Sequence, residues 1–184
     1  MLPEQVEAWV RAVYPQHVNP TCGLHVHMSF AHKLNYSRLM TPEFTPYMLD
    51  ALRAWGQSEG LPEADPLWER LNRPDHPHCS HQYLADKQVL MRKKDYQSRG
   101  TDHSRYTAIN YCEAQHRGNG SGTGTVECRV LPMFQEPDVA MRAIWAVVDN
   151  TNRFLSRIRQ REKATEATVL ARPEVFQEFG TTIR

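Results

Sequence analysis

The chain has 184 residues, of which 40% are hydrophobic and 23% charged, proportions that predict one globular domain with a real core. A formal net charge of +1 argues against a nucleic-acid binder working by bulk electrostatics. No apolar run approaches the ~20 residues needed to cross a bilayer. The opening Met1-Leu2-Pro3-Glu4-Gln5 lacks the charged start and apolar stretch of a signal peptide, so the expected compartment is the cytoplasm. There Cys22, Cys79, Cys112 and Cys128 are expected as reduced thiols.

Residues 3–14 read as a short helix with Val6, Trp9, Val10 and Val13 as its apolar stripe. After a connection containing Pro15 and Pro20 comes Cys22-Gly23-Leu24-His25-Val26-His27-Met28-Ser29-Phe30. Its strict alternation predicts a half-buried strand over 23–30, apolar on one side and bearing His25, His27 and Ser29 on the other. The two imidazoles then stand roughly 6.5–7 Å apart along one face. Such a face suits a divalent metal or an anionic ligand, and equally two histidines hydrogen-bonded for structure.

Residues 31–38 read as a polar loop. Thr41-Pro42-Glu43 is expected to cap a helix that continues through Met48, Leu49, Leu52 and Trp55 until Gly56 or Gly60, and a further helix is expected around 63–71. Asn72 to His81 is irregular and histidine-rich. His76, His78, Cys79 and His81 are the right residue types for zinc, but their spacing matches no standard finger. The alternative is a polar loop lining a cleft. A helix is expected over about 83–92, ending in the basic Arg92-Lys93-Lys94.

A second strand is predicted over 104–112, and the glycine-rich 116–124 reads as a loop between antiparallel strands, lacking the Gly-Lys-Ser/Thr ending of a phosphate loop. The third strand, 125–131, directs Val126, Cys128 and Val130 to one side and Thr125, Glu127 and Arg129 to the other. That polar side offers a carboxylate for a hard cation beside a guanidinium for a carboxylate or phosphate, or simply a cross-strand ion pair. Gln135-Glu136-Pro137-Asp138 opens a long helix with an acidic first turn and Met141, Ile144, Trp145, Val148 and Leu155 as its apolar face. Residues 1–162 are read as one domain, and 163–184 as a tail or short docking helix. The expected class is α+β, with an antiparallel sheet packed on helices.

In this order, Cys22-Gly23-Leu24-His25-Val26-His27, Arg105-Tyr106-x-x-x-Asn110 and Thr125-Val126-Glu127-x-Arg129 before a long amphipathic helix resemble the amidoligase family. That family belongs to the carboxylate–amine ligases related to glutamine synthetase and γ-glutamylcysteine synthetase, and the resemblance covers roughly residues 20–160. It implies a curved antiparallel sheet and ATP-dependent phosphorylation of a carboxylate, followed by attack of an amine on the acyl phosphate. The cofactors implied are ATP with Mg²⁺ or Mn²⁺, and the substrates a carboxylate and an amine on small molecules or peptides. Carried over by position, His25 and Glu127 would be metal ligands and His27 would lie beside the transferred phosphate or the carboxylate. Arg105 and Arg129 would clamp that anion, and Asn110 would position substrate.

The family's opening Glu-x-Glu strand has no counterpart before Cys22, where Glu4 and Glu7 lie in a helical pattern. Two explanations stand: a second polypeptide or another copy of the chain completes the site, or the chain is a degenerate descendant of the family. Two other functions compete: a non-catalytic binding or assembly subunit with the same polar face, and a zinc protein built on Cys79 and its neighbouring histidines. Neither a membrane nor a nucleic acid is expected as partner.

Overall fold

The alternating residues 24–28 do form a strand, and it lies against the third predicted one. A computed structural model describes residues 3–19, 21–84, 106–111 and 124–170. Its sheet has three antiparallel strands in the order β1-β3-β2: β1 (Gly23–Met28), β2 (Ile109–Asn110) and β3 (Val126–Pro132). The register sets His27 opposite Glu127, and Glu127 opposite Asn110 on its other side. These three side chains thus share one rung.

The β1–β3 pairing is interrupted. Leu24 pairs with Leu131 but Val26 with Cys128, so His25 faces both Arg129 and Val130, a β-bulge that locally re-aims side chains. Adjacent residues of β3 are buried on both sides of the bulge, Val126 to Cys128 before it and Val130 and Leu131 at it.

The helices are α1 (Pro3–Val13), α2 (Lys33–Leu39), α3 (Phe44–Ser58), α4 (Pro66–Asn72) and α5 (Pro137–Leu170). The core joins Val26 and Met28 of β1 and Val126 and Val130 of β3 to Phe44, Met48 and Leu52 of α3 and Val147 and Phe154 of α5. At about 25 cal/mol per Å² of buried apolar surface, this cluster supplies the main driving force for folding.

The sequence pattern needs correction in several places. The expected loop 31–38 holds α2, whose Tyr36 and Leu39 are buried; Tyr36 packs edge-on against Phe30, and its hydroxyl accepts from the Phe30 N–H and donates to the Gly124 carbonyl. Thr41 does not cap α3: the N-cap is Glu43, without a side-chain bond. Instead the Thr41 carbonyl accepts from the Phe44 N–H. Gly60, at φ 68°, takes the left-handed conformation that ends a helix. On α5 the fully buried positions are Ala140, Ala143, Val147, Thr151 and Leu155, whereas Trp145 and Val148 are only half-buried. That helix also runs without a break through residues 163–170.

Of the second predicted strand, only Ile109–Asn110 lies in the sheet; Thr107 makes a single bridge to Ser80. The expected helix over 83–92, Arg92-Lys93-Lys94, Arg105, Cys112 and most of the glycine-rich segment lie outside the described residues. No helix among the described residues is long and apolar enough to cross a membrane.

Candidate functional site

The polar face of the sheet converges on one carboxylate. Glu127, only 6% exposed, accepts at Oε1 from Arg129 Nη1 at 2.8 Å and His25 Nδ1 at 2.9 Å, and at Oε2 from Asn110 Nδ2 at 2.8 Å. His27 Nε2 stands 3.5 Å from the same Oε1, while its Nδ1 shares a hydrogen bond with Thr125 Oγ1. Burial works against the charge on Glu127. The hydrogen bonds from His25 and Asn110 and the Arg129 charge win, holding the carboxyl below its ordinary pKa. It is therefore ionised at neutral pH.

Each donor is positioned by a specific backbone feature. The register brings His27 and Asn110 to Glu127 from neighbouring strands, and the bulge brings His25 round to the same oxygen. Gly23 leaves the space that the His25 ring occupies: a Cβ there would lie 2.9 Å from His25 Nε2 and 3.3 Å from Arg70 Nη1. Arg129 is tied at its backbone N–H to the Ala108 carbonyl, and its guanidinium lies 5.5 Å from the centre of the Tyr106 ring, within cation–π range. Its Nε is buried with no hydrogen-bond acceptor among the described residues.

Five of the predicted site residues, His25, His27, Asn110, Glu127 and Arg129, are thus brought together. Arg105 lies outside the described residues. The pattern missed Arg70, Tyr106 and Gly23. For Tyr106 a signal existed: two and four residues before Ala108 and Asn110 imply the same strand face. Arg70 looked like an ordinary helix-surface charge, yet it is buried and donates to the Leu131 carbonyl from Nη1 and the Cys22 carbonyl from Nη2, both at 3.0 Å.

The histidine-rich loop does not assemble a zinc site: among the described residues no three His, Cys, Asp or Glu side chains are grouped to hold a metal. His76 Nδ1 accepts from both the His78 N–H and the Cys79 thiol, and His81 Nε2 donates to the Arg70 carbonyl at 2.8 Å. Burial pushes the Cys79 thiol up to about 11, the protonated form rather than the thiolate that zinc takes. The loop instead borders the sheet: Ser80 accepts from Ala108 N–H and donates to the Tyr106 carbonyl, and the His78 ring meets the Tyr106 ring edge-on.

The cluster does not by itself make a divalent-ion site, because it is not part of any grouping of three His, Cys, Asp or Glu side chains placed to hold a metal among the described residues. Both Glu127 oxygens accept from protein donors, and a hard cation would need further oxygen ligands from elsewhere. Two grooves, of ≈ 450 and ≈ 530 Å³, run along α5 and are lined by none of these five residues. Comparison with protein-family models, curated proteins and solved structures finds no match.

Proposed function

We propose that the chain is an amidoligase-type component, acting with ATP and a divalent cation to join a carboxylate to an amine through an acyl phosphate. The observation that carries this reading is the grouping of His25, His27, Asn110 and Arg129 around the single carboxylate of Glu127. Phosphoryl transfer asks little covalent work of a protein. It needs fixed cationic groups and metal ligands around developing negative charge.

In this reading Arg129 holds the substrate carboxylate, Asn110 orients it, and His27 donates to the transferred group. His25 and Glu127 hold the cation, which when bound neutralises phosphate charge and aligns the oxygens. The finer fold in this reading is part of a glutamine synthetase-like curved sheet, to which the β1–β3 bulge would contribute curvature.

The position of β1 supports completion by a second polypeptide or a second copy. Among the described residues it is one of the two edge strands of the sheet, and a strand added to it would send alternate side chains onto the face of His25 and His27. Carboxylates delivered there would supply the oxygen ligands that the cluster lacks.

The experiment is ADP release in the presence of Mg²⁺ or Mn²⁺, a panel of carboxylates and amines, and the products of neighbouring genes. Release that requires both substrates and is lost in His25→Ala and Glu127→Ala is the expected result; no turnover and no nucleotide binding with any partner removes the enzymatic reading. One observation favours a second reading, a non-catalytic subunit binding an anionic or peptide ligand: Glu127 is already saturated by donors of the protein itself. Partner binding that survives both substitutions, with no activity to lose, would select it.

A further inference from the structure

Two features of the helices find no counterpart within one chain among the described residues. The first is on α1. Trp9 and Val13 are 63% and 55% exposed, the two large hydrophobic residues open to solvent among those described. Four apart on a helix, they share one face. The same helix begins on an acid: Glu4 lies in its first turn and makes no ion pair among the described residues.

The second feature is the groove of ≈ 450 Å³ between α3 and α5. Ala51, Ala54 and Trp55 line it from α3, and Arg142, Trp145 and Ala146 from α5. On each helix these residues are spaced i, i+3, i+4, the stripe on which a neighbouring helix packs. The alanines leave room between the two half-buried tryptophans. Charge is uneven along the groove. Arg142 at one end is paired with Glu59, whereas Arg153 at the other makes no ion pair among the described residues. Arg157, one turn further on, rests on the Tyr47 ring, so the arginines outweigh Asp149, the one acid of this end.

Helix and groove match in length, polarity and charge. α1 has 11 residues, and Arg142 and Arg153 stand eleven positions apart on α5, each span being about 16 Å. Laid antiparallel to α5 with Val13 level with Arg142, α1 brings Trp9 level with Ala146, beside the tryptophans, and Glu4 within a turn of Arg153. In its own chain α1 is held elsewhere, by Arg11 to Asp138 and by the Tyr14 hydroxyl donating to the Phe134 carbonyl, and none of its described residues lines the groove. We infer that the groove receives α1 of a second copy, and that a two-fold axis returns the contact so that both grooves are filled. This does not rest on the ligase reading, since no residue of the Glu127 cluster lines the groove.

Sedimentation equilibrium of the intact chain over a wide concentration range should show a reversible dimer. Trp9→Ser, at an exposed position, should weaken it by about tenfold or more, the loss expected of an aromatic anchor. Arg153→Glu should weaken it as well, and adding Glu4→Arg to that variant should recover part of the lost affinity, because the pair is then restored with its signs exchanged. A monomer at every concentration overturns the inference. So does a dimer of unchanged strength in Trp9→Ser, or one in which Glu4→Arg recovers nothing, since either places the contact on another face. Each variant is checked for folding by its thermal transition. Where one fails to fold, hydrogen exchange of the wild type below and above the dimerisation range decides: protection rising in both 3–13 and 142–153 is expected, and no rise in either segment refutes the contact.

Discussion

Glu127 owes its ionised form to its neighbours, since burial by itself would raise its pKa and His25, Arg129 and Asn110 together lower it. A carboxyl depressed in the folded state contributes stability above its unfolded pKa and loses it as pH falls through the folded value. The stability advantage of the wild type over Glu127→Gln should therefore be constant near neutrality and shrink on acidification below about pH 4.5, the ordinary value of the group. Chemical denaturation of both proteins from pH 7 to 3 checks this; an advantage that grows toward low pH would refute it. Glu127→Ala, which leaves the Arg129 guanidinium without its carboxylate, should cost roughly 2 kcal/mol at pH 7. Gly23 is the complementary case. Its replacement by Ala puts a methyl where the His25 ring lies, so a crystal structure of Gly23→Ala should show the His25–Glu127 hydrogen bond lengthened or broken with β1 otherwise in place.

Among the elements, α4 fixes the chain around the site. Asp65 caps it by accepting from the Leu67 N–H at 2.8 Å with Pro66 in the first turn. Asp65→Ala should lower stability by about 1 kcal/mol in a denaturant titration, the usual loss for such a cap. About two turns of helix are too few to stand alone, and Arg70 ties them to β3 and to Cys22. A lysine has no planar fork to serve both carbonyls, so Arg70→Lys should unfold at clearly lower denaturant than the wild type, and a variant indistinguishable from it would show the bridge to be dispensable. These cases mark what the sequence makes legible. Period-two alternation exposes β1 and β3, and the residue types on their polar faces disclose most of the cluster. The bulge at His25 leaves no mark in composition, because it is a property of two strands in register. Short α2 is hidden for a related reason: its seven residues include few apolar ones, and Tyr36 and Leu39 gain their burial only from packing against distant segments. Arg70 misleads because a buried arginine satisfied by carbonyls has the same local pattern as an exposed one.

At the scale of the molecule, α5 spans about 50 Å at 1.5 Å per residue, far longer than the three-stranded sheet it supports. Its first half is anchored by Met141, Val147, Phe154 and Leu155 in the core. From Arg159 to Thr168 every residue is exposed, and burial contributes nothing to holding that part helical. What ties it back is a two-point ion pair, Arg38 Nε and Nη2 of α2 donating to the two carboxylate oxygens of Glu162 at 3.0 and 2.6 Å. Each partner shifts the other in the expected direction, the guanidinium up and the carboxyl down. An exposed pair of this kind adds little to global stability, but local opening of a helix end depends on few contacts, so here the pair governs order rather than folding. Glu162→Gln should leave the unfolding midpoint nearly unchanged while amide hydrogens of residues 159–168 exchange several-fold faster than in the wild type. Raising ionic strength should move the wild type toward the variant, because screening acts on the pair and not on the helix hydrogen bonds. Exchange confined to the same rate in both proteins at low salt would mean that α5 holds its outer turns by intrinsic helix propensity, with α2 merely lying beside it.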